Sequence, residues 1–364
     1  MKFKHFFISL SLLATTLSAN SKDPSSNELY IMNWSDYIAP DTIANFEKET
    51  NIKVHYDLID SNEMLEAKLM AGNSGYDIVV PSIHVLKRLS DVGLLHPLDK
   101  SKMPNWKNLD KDKMAVIAKI DKDNTYGIPY TELSTGIGVN EKAVRKYLGE
   151  DADLNTWDLV FDKDTISKIG CGVTMLDSAS DMLCSALIYL NLDPESTDKN
   201  DYEKAGKLLA STMPFVSYLH SSQYMNDLAA GEICVAVGWS SDIQIAAQRS
   251  KESGLDDISY IIPKEGALMG YDMMAIPKDA KNIENAYKFL DYIMRPDVMA
   301  SISNYVLCAN ANAASTELID KAIRDNPGIY YPKEQLTRMH IVIPPNKVER
   351  TMTKTWNKVR TSSN

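Results

Sequence analysis

The chain has 364 residues, enough for two domains of ordinary size, and its 44% hydrophobic and 24% charged content is typical of a globular protein. It carries 49 acidic residues against 39 lysines and arginines, which gives a formal net charge of −10. This balance argues against a nucleic-acid partner, because binding to phosphates requires a basic surface.

The first 19 residues have the layout of a cleavable secretory signal peptide. Lys2 and Lys4 precede an apolar run that starts at Phe6, and small residues follow up to Ala19. The run is too short to span a membrane, and the alternative is a buried N-terminal helix. We therefore expect residues 1–19 to be removed on export, and the loss of two lysines changes the net charge from −10 to −12.

Strand-like and helix-like patterns alternate from residue 28 onward. The strand-like runs are residues 28–34, 52–59 and 76–82, and the helix-like runs are residues 39–51, 61–72 and 82–93. This βαβαβα order predicts an α/β fold with a parallel-rich sheet covered by helices. Ligands bind beyond the carboxyl ends of such strands, where Trp34 to Tyr37 and Pro81 to Ser82 lie.

The rest of the chain continues in the same style. Short extended runs are predicted at residues 126–130 and 135–140, and a buried strand at residues 233–242. Helical patterns lie at residues 181–192, 201–213 and 221–232, and residues 258–280 and 282–306 precede a C-terminal helical segment through Trp356. There is no internal repeat and no flexible linker in the sequence. The chain is therefore expected to cross several times between two α/β lobes.

The sequence offers little for catalysis or metal binding. Its six histidines are scattered, there is no GxSxG motif, and Ser222 in "HSSQY" is better explained as a helix cap than as a nucleophile. Neither glycine-rich nucleotide motif is present. We expect no catalytic residue, no metal site and no cofactor.

The four cysteines of an exported chain are candidates for disulfide bonds. Cys171, Cys184, Cys234 and Cys308 allow three complete pairings, and the sequence does not choose among them. No two of them form a CxxC motif, which argues against zinc binding and thioredoxin-like chemistry.

An aromatic residue beside an acid recurs at the end of apolar runs. The pattern appears in three places: "NWSDY" (Trp34, Asp36, Tyr37), "GWSSD" (Trp239, Asp242) and "GYD" (Tyr271, Asp272). Any one of them fits a rim aromatic with a solvated carboxylate, but together they predict a box of aromatic faces with carboxylates at its ends. Such a box suits an alkyl chain with ammonium groups. An amino acid would require an arginine for its carboxylate, and these segments have none.

Longer strings resemble a known family. Residues 33–54, 66–82 and 220–239, together with "IPKEGA", "RPDVMASIS" and "CANANAAS", closely resemble the periplasmic polyamine-binding proteins of ABC transporters, above all the putrescine-binding branch. The resemblance covers essentially the whole chain after the signal peptide. It implies a two-lobed periplasmic-binding-protein fold of type II, in which each lobe is a mixed sheet flanked by helices and the lobes close on a ligand in the cleft. We expect lobe 1 to contain residues 27–133 and about 266–308, and lobe 2 residues 134–265 and about 309–364.

The resemblance also assigns site residues, position by position. Lobe 1 is expected to contribute Trp34, Ser35, Asp36, Tyr37 and Ser82; lobe 2 is expected to contribute Asp181, Trp239 and Asp242; and the segment between the lobes is expected to contribute Asp272, with Tyr271 beside it. The same resemblance implies a disulfide between Cys171 and Cys234, which leaves Cys184 and Cys308 unpaired.

The implied function is capture of a protonated di- or polyamine in the periplasm and delivery to an inner-membrane ABC permease, by a monomer that is not an enzyme. Putrescine is the expected ligand. Spermidine is the alternative, because Gly270 and Cys308 stand where putrescine-binding relatives carry aromatic residues, and His84 lies where the family's branches differ. Tyr271 is expected to fill part of the gap at Gly270. Two other functions stay open: a secreted hydrolase with paired carboxylates, and an amine sensor on the same fold.

Overall fold

The computed structural model describes residues 27–362, which form ten strands and sixteen α-helices around one mixed sheet. The predicted signal peptide, residues 1–19, lies outside the described residues. Between residues 27 and 362, no helix is both long enough and apolar enough to cross a membrane.

The strands are β1 (Glu28–Trp34), β2 (Lys53–Ile59), β3 (Ile78–Val79), β4 (Gly127–Val139), β5 (Val173–Met175), β6 (Tyr218–Leu219), β7 (Val235–Trp239), β8 (Ser259–Ile261), β9 (Ala267–Ala275) and β10 (Met339–His340). The helices are α1 (Thr42–Thr50), α2 (Asn62–Met70), α3 (Ile83–Asp91), α4 (Lys111–Ile117), α5 (Glu141–Leu148), α6 (Asp158–Phe161), α7 (Lys163–Ile166), α8 (Ala179–Tyr189), α9 (Lys199–Thr212), α10 (Gln223–Ala230), α11 (Ser240–Glu252), α12 (Ile283–Ile293), α13 (Pro296–Val306), α14 (Lys321–Arg324), α15 (Lys333–Leu336) and α16 (Asn346–Arg360). Short 3₁₀ helices lie at Lys100–Lys102, Pro104–Asn108, Lys122–Asn124, Met213–Phe215 and Ala313–Leu318.

Strand β1 lies where the sequence predicts it, between two parallel neighbours. Ile31 is fully buried and pairs with Tyr56 of β2 on one side and with Ile78 of β3 on the other. Helices α1 and α2 make the connections that parallel strands require. The predicted βαβ order is therefore confirmed, and the carboxyl ends of β1 and β3 open at the same edge of the sheet.

The strands β4 and β9 join the two halves of the sheet. From Gly127 to Thr135, β4 pairs antiparallel with β9, and from Thr135 to Val139 it pairs antiparallel with β7. At its other edge, β9 pairs with β3. One continuous strand therefore belongs to both halves, and the two halves are linked where β4 and β9 run side by side.

Two large hydrophobic cores lie on either side of this strand pair. One core takes its residues from 29–130 and 271–308, and the other from 137–268 and 348–359. In the first core Phe46 packs edge-to-face on Phe289, and in the second Trp157 stacks on Phe161. The protein is therefore two-lobed, and we call the lobe with the first core lobe 1 and the lobe with the second core lobe 2.

The segment 233–242, predicted as one extended run, divides into a strand and a helix. β7 ends at Trp239 and α11 begins at Ser240, so Asp242 lies in the first turn of a helix. Asp181 lies likewise in the first turn of α8, where its N–H donates to the hydroxyl of the N-cap residue Ser178. The N-terminus of a helix favours a negative charge, so both positions suit an ionised carboxylate.

The disulfide lies in lobe 2. Cys171 and Cys234 are bonded, with Cα atoms 5.5 Å apart and a sequence separation of 63. Cys184 and Cys308 are free and buried. The pairing that the resemblance implied is thus confirmed.

Replacement of both Cys171 and Cys234 with serine should lower the free energy of unfolding by about 2–4 kcal/mol, because the disulfide restricts the unfolded chain across a long loop. Urea unfolding followed by circular dichroism measures the change. A reducing agent should destabilise the unaltered protein by a similar amount and leave the variant unchanged. Equal destabilisation of both proteins by the reducing agent would contradict the assignment.

Candidate functional site

A cavity of about 140 Å³ lies between the lobes, above β4 and β9 and at the carboxyl ends of β1 and β3. This volume is below the roughly 300–1,000 Å³ of pockets for drug-sized ligands, so the cavity suits a ligand with few atoms. The cavity brings together most of the residues predicted for the site: Trp34, Ser35, Tyr37, Ser82, Asp181, Trp239, Asp242, Tyr271 and Asp272.

Two tryptophans from opposite lobes contact each other and line the cavity. Trp34 ends β1, and its indole N–H donates to the carbonyl of Val80 at 2.9 Å, which fixes the orientation of the ring. Trp239 ends β7, and the centroids of the two rings are 6.5 Å apart with planes tilted by 55°. The two rings therefore form a tilted aromatic pair, one ring from each lobe, that borders the cavity.

Asp272 on β9 is held by two hydroxyl groups of lobe 1. Tyr37 donates to one carboxylate oxygen and Ser82 to the other, each at 2.7 Å. The hydroxyl of Thr131 lies 2.5 Å from that of Tyr37, and it acts as the donor because the Tyr37 proton points at Asp272. Asp272 is only 6% exposed.

Burial dominates the electrostatics of Asp272. Loss of solvent raises the pKa of this carboxyl to about 6, against the hydrogen bonds from Ser82 and Tyr37, which lower it, while the charge of Asp181 raises it further. Burial also raises the pKa of Tyr37 well above its usual range, with the charge of Asp272 acting in the same direction. Tyr37 is therefore a neutral donor to a carboxylate that lacks a cation.

Asp181 is one of two carboxylates from lobe 2 that line the cavity. The hydroxyls of Thr135 and Ser178 donate to its two oxygens, each at 2.6 Å, and the indole N–H of Trp239 lies 3.4 Å from the first. Thr135 lies on β4, so the strand shared by the lobes touches a carboxylate of the second lobe.

Asp242 is the second carboxylate of lobe 2. The hydroxyl of Tyr224 donates to it at 2.7 Å. Burial raises the pKa of Asp242 to about 6; the charge of Asp36 adds to this rise, whereas the Tyr224 hydrogen bond and the charge of Arg249 oppose it. The desolvation of the carboxylate outweighs the favourable helix N-terminus.

Asp36 does not line the cavity, unlike the other nine predicted residues. Its carboxylate lies 3.7 Å from the guanidinium of Arg249 of lobe 2, and its side chain is 42% exposed. Its backbone is left-handed, with φ of 52°, in the turn between β1 and α1. Asp36 therefore lies at the mouth of the cleft and contacts the opposite lobe.

Tyr271 borders the cavity, but its ring belongs to the core of lobe 1. Successive side chains of a strand point to opposite faces, so Tyr271 points away from the face that carries Gly270 and Asp272. Burial and the adjacent Glu132 carboxylate raise the pKa of Tyr271. The expectation that Tyr271 fills the gap beside Gly270 is therefore wrong.

Cys308 is buried and is not among the residues that line the cavity. Cys308, which was expected to widen the cavity together with Gly270, thus lies behind the cavity wall. Of the two departures from the relatives, only Gly270 borders the space.

Several polar groups of the site had no clear signal in the sequence. Thr131, Thr135 and Tyr224 supply hydroxyls to Tyr37, Asp181 and Asp242, yet they come from strands and helices distant in sequence from these partners. His84 also lines the cavity, and burial lowers the pKa of its imidazole to about 3, with the charge of Arg88 acting in the same direction. A threonine or tyrosine in an ordinary strand or helix pattern carries no mark of such a role.

The site contains carboxylates but lacks a cation of the protein to pair with them. Within residues 27–362, none of Asp181, Asp242 and Asp272 forms an ion pair, and no lysine or arginine lines the cavity. Ionised carboxylates in a desolvated site are costly unless they are paired with a cation. The arrangement therefore favours a small ligand that brings positive charge.

Comparisons with known proteins agree with this geometry. Residues 41–329 match the family model of bacterial extracellular solute-binding proteins. The putrescine-binding periplasmic protein PotF of Escherichia coli K12 is 48% identical over 350 residues, which cover 95% of this chain and 93% of that protein. The putrescine-binding periplasmic protein SpuD of Pseudomonas aeruginosa UCBPP-PA14 is 46% identical over 358 residues, which cover 96% and 97%.

A solved structure shares the fold. The TpPotD lipoprotein of Treponema pallidum superimposes with a TM-score of 0.76 at 26% identity, and the match covers 92% of this chain and 99% of that one. The fold of this chain is thus also found in a solved structure.

The Asp272→Asn substitution should stabilise the ligand-free protein. The pKa of Asp272 in the folded protein, about 6, lies above its ordinary value of 3.8, so folding stability falls as pH rises from about 4 to about 6. Removal of the charge should therefore raise the free energy of unfolding by about 1–3 kcal/mol at pH 7.5 and by less at pH 4. Urea unfolding at pH 7.5 and at pH 4 measures this change. An equal increase in the free energy of unfolding at the two pH values would contradict the buried charge of Asp272 as its cause.

Proposed function

The chain belongs to the bacterial extracellular solute-binding proteins and, within them, to the putrescine-binding branch, and on this premise we propose that it captures a protonated di- or polyamine between its two lobes. Putrescine is the ligand proposed first, because both relatives described above are putrescine-binding proteins. Spermidine stays the second candidate.

One observation carries the proposal: three carboxylates without an ion-pair partner surround a small cavity with tryptophan walls. Asp272 approaches this cavity from lobe 1, and Asp181 and Asp242 approach it from lobe 2. Ammonium groups of a ligand would replace the missing cations through charge-assisted hydrogen bonds. The indoles would cover the methylene groups and attract the cations, at about 0.5–2 kcal/mol for each contact.

The same cavity disfavours ligands that carry a carboxylate. An amino acid or a peptide end would need a basic partner, whereas the lining residues within the described chain include neither lysine nor arginine. A carboxylate of the ligand would also meet the three aspartates of the protein. The ligand class that fits is an alkylamine with positive charge only.

We assign a role to each predicted site residue. Asp272, held by Tyr37 and Ser82, is proposed to bind one ammonium group. Asp181 and Asp242 are proposed to bind the other end of the ligand. Trp34 and Trp239 are proposed to enclose the alkyl chain, with Ser35 at the edge.

Asp36 and Tyr271 are given indirect roles. The Asp36 carboxylate faces Arg249 across the cleft and is proposed to act at the mouth, not as an ammonium ligand. The ring of Tyr271 is proposed to support β9 from behind.

The lobes are proposed to divide as the sequence suggests, into residues 27–133 with about 266–308 and residues 134–265 with about 309–364. Two separate hydrophobic cores and their shared strands support this division. The lobes would then hinge where β4 and β9 cross between them, and closure would bring the carboxylates of lobe 2 to a ligand held by lobe 1.

The chain is proposed to work in the periplasm, after removal of residues 1–19, as a monomer that passes its ligand to an inner-membrane ABC permease. Both relatives are periplasmic binding proteins, so the family binds solutes and the hydrolase alternative is set aside. The alternative is an amine sensor on the same fold. Measurement of amine uptake in a deletion strain distinguishes the two, because loss of a pure sensor would leave uptake unchanged.

The ligand class is tested by thermal unfolding with putrescine, cadaverine, spermidine, spermine, agmatine, arginine and lysine. An amine that binds only the folded protein should stabilise it by about 2.7 kcal/mol at one hundred times its Kd. We expect one or more of the di- and polyamines, putrescine first among them, to raise the melting temperature and lysine to leave it unchanged. If no amine raises it, the proposed function is refuted.

The site is tested by calorimetry on Asp272→Asn and Trp34→Ala. The first should weaken amine binding by about thirtyfold or more, since it leaves an ammonium group without its buried partner, and the second by about tenfold through loss of an aromatic wall. Matched controls come from lobe 1 outside the cavity: Asp291→Asn, whose carboxylate pairs with Asn105, and Trp106→Ala. Affinity should be unchanged in both controls, and unchanged affinity in the two site variants would refute the assignment.

A further inference from the structure

The floor of the cavity is one face of the strand pair β4 and β9. Three cross-strand pairs lie on this face in register: Thr131 with Asp272, Leu133 with Gly270, and Thr135 with Leu268. The first pair is at the end of the cavity where Asp272 meets Tyr37, and the third is at the end where Thr135 donates to Asp181. The floor therefore runs from one carboxylate to another, and Leu133 and Gly270 lie between them.

Gly270 is a glycine that neither the backbone nor the packing requires. Its φ is not in the left-handed region, and a Cβ built on it has no atom within 4 Å. At Gly136, Gly138 and Gly238, by contrast, a Cβ would lie only 2.4–2.7 Å from a neighbouring atom. The absence of a side chain at Gly270 thus leaves open space on the cavity side of the strand.

No neighbouring side chain on β9 takes up this space. Met269 packs with the small core that contains Tyr331, and the Tyr271 ring lies in the core of lobe 1, both on the rear face of the strand. On the cavity side, the neighbours of Gly270 are Leu133 across the strand pair and Leu268 and Asp272 on β9. Both oxygens of Asp272 are bonded to Tyr37 and Ser82, so the side chains that border the gap itself are the two apolar leucines. The space at Gly270 is therefore an apolar gap in the middle of the floor.

We propose that Gly270 determines which amines bind, and that its gap holds the additional methylene groups of linear diamines longer than putrescine. This inference rests on the proposed function. Carboxylates hold both ends of the ligand, so a longer chain must bow in its middle, and the gap lies where it bows. The extra atoms are carbon and not charged nitrogen, because Leu133 and Leu268 offer no acceptor for an ammonium group.

The proposal has a quantitative consequence for chain length. Each additional methylene group that is buried in the gap contributes a factor of about four in affinity. The unaltered protein should therefore bind the five- and six-carbon diamines at least as tightly as putrescine. A side chain placed in the gap should reverse this order.

The test is a series of variants, Gly270→Ala, Gly270→Leu and Gly270→Phe, titrated by calorimetry with putrescine, cadaverine, the six-carbon diamine and spermidine. The affinity of the six-carbon diamine relative to putrescine should fall with the volume of the new side chain, by about tenfold or more at phenylalanine. Retained putrescine binding in the alanine and leucine variants shows that the fold is intact, even if phenylalanine disturbs it.

Each other outcome has a distinct meaning. Equal losses for putrescine and the longer diamines across the series would overturn the role of the gap and leave the proposed function standing. A loss confined to spermidine would overturn the assignment of the gap to methylene groups. Absence of any amine binding by the unaltered protein would instead refute the proposed function itself.

Discussion

The site depends on the burial of negative charge without a cation of the protein to match it. Asp272 is almost fully buried and receives only neutral hydroxyls, from Tyr37 and Ser82. These bonds orient both oxygens but do not offset the loss of solvent, and the pKa of the carboxyl is accordingly raised to about 6. The folded, empty protein is thus expected to be less stable than it would be with a neutral polar residue there, and a bound cation would restore the lost stability.

The central strands make that arrangement geometrically possible. β4 and β9 carry cavity residues on one face, and on the other they carry supporting contacts such as the Lys113–Glu132 ion pair and the hydrogen bond from Ser134 to Tyr331. The alternation of side chains along a strand places these supporting side chains on the face opposite Asp272. Because the same strands continue into both lobes, the end that holds Asp272 and the end that contacts Asp181 are joined through the backbone, while the lobes themselves meet across the open cleft.

Much of the architecture was readable from local pattern. The βαβ order near the N-terminus and the position of Trp34 and Ser82 at strand ends follow from periodicity of two or 3.6 and from the rule for ligand sites at strand ends. Asp272, by contrast, lies in the middle of β9. The alternation rule also bears on Tyr271: a residue next to Asp272 in sequence lies on the opposite face of the strand. The mistaken expectation there came from reading adjacency in sequence as adjacency in space.

What the sequence by itself determined is the kind of element at each place and the residue types that reach the cleft, because these depend on interactions between neighbours along the chain. Only the tertiary structure decided which groups meet. Tyr37 reaches Asp272 across 235 residues, Thr135 reaches Asp181 across 46, and Asp36 faces Arg249 of the other lobe. The four cysteines left three pairings open by spacing alone, and the fold joins Cys171 to Cys234 because β5 and β7 are adjacent strands. Such contacts depend on how strands and lobes pack, which no local pattern encodes.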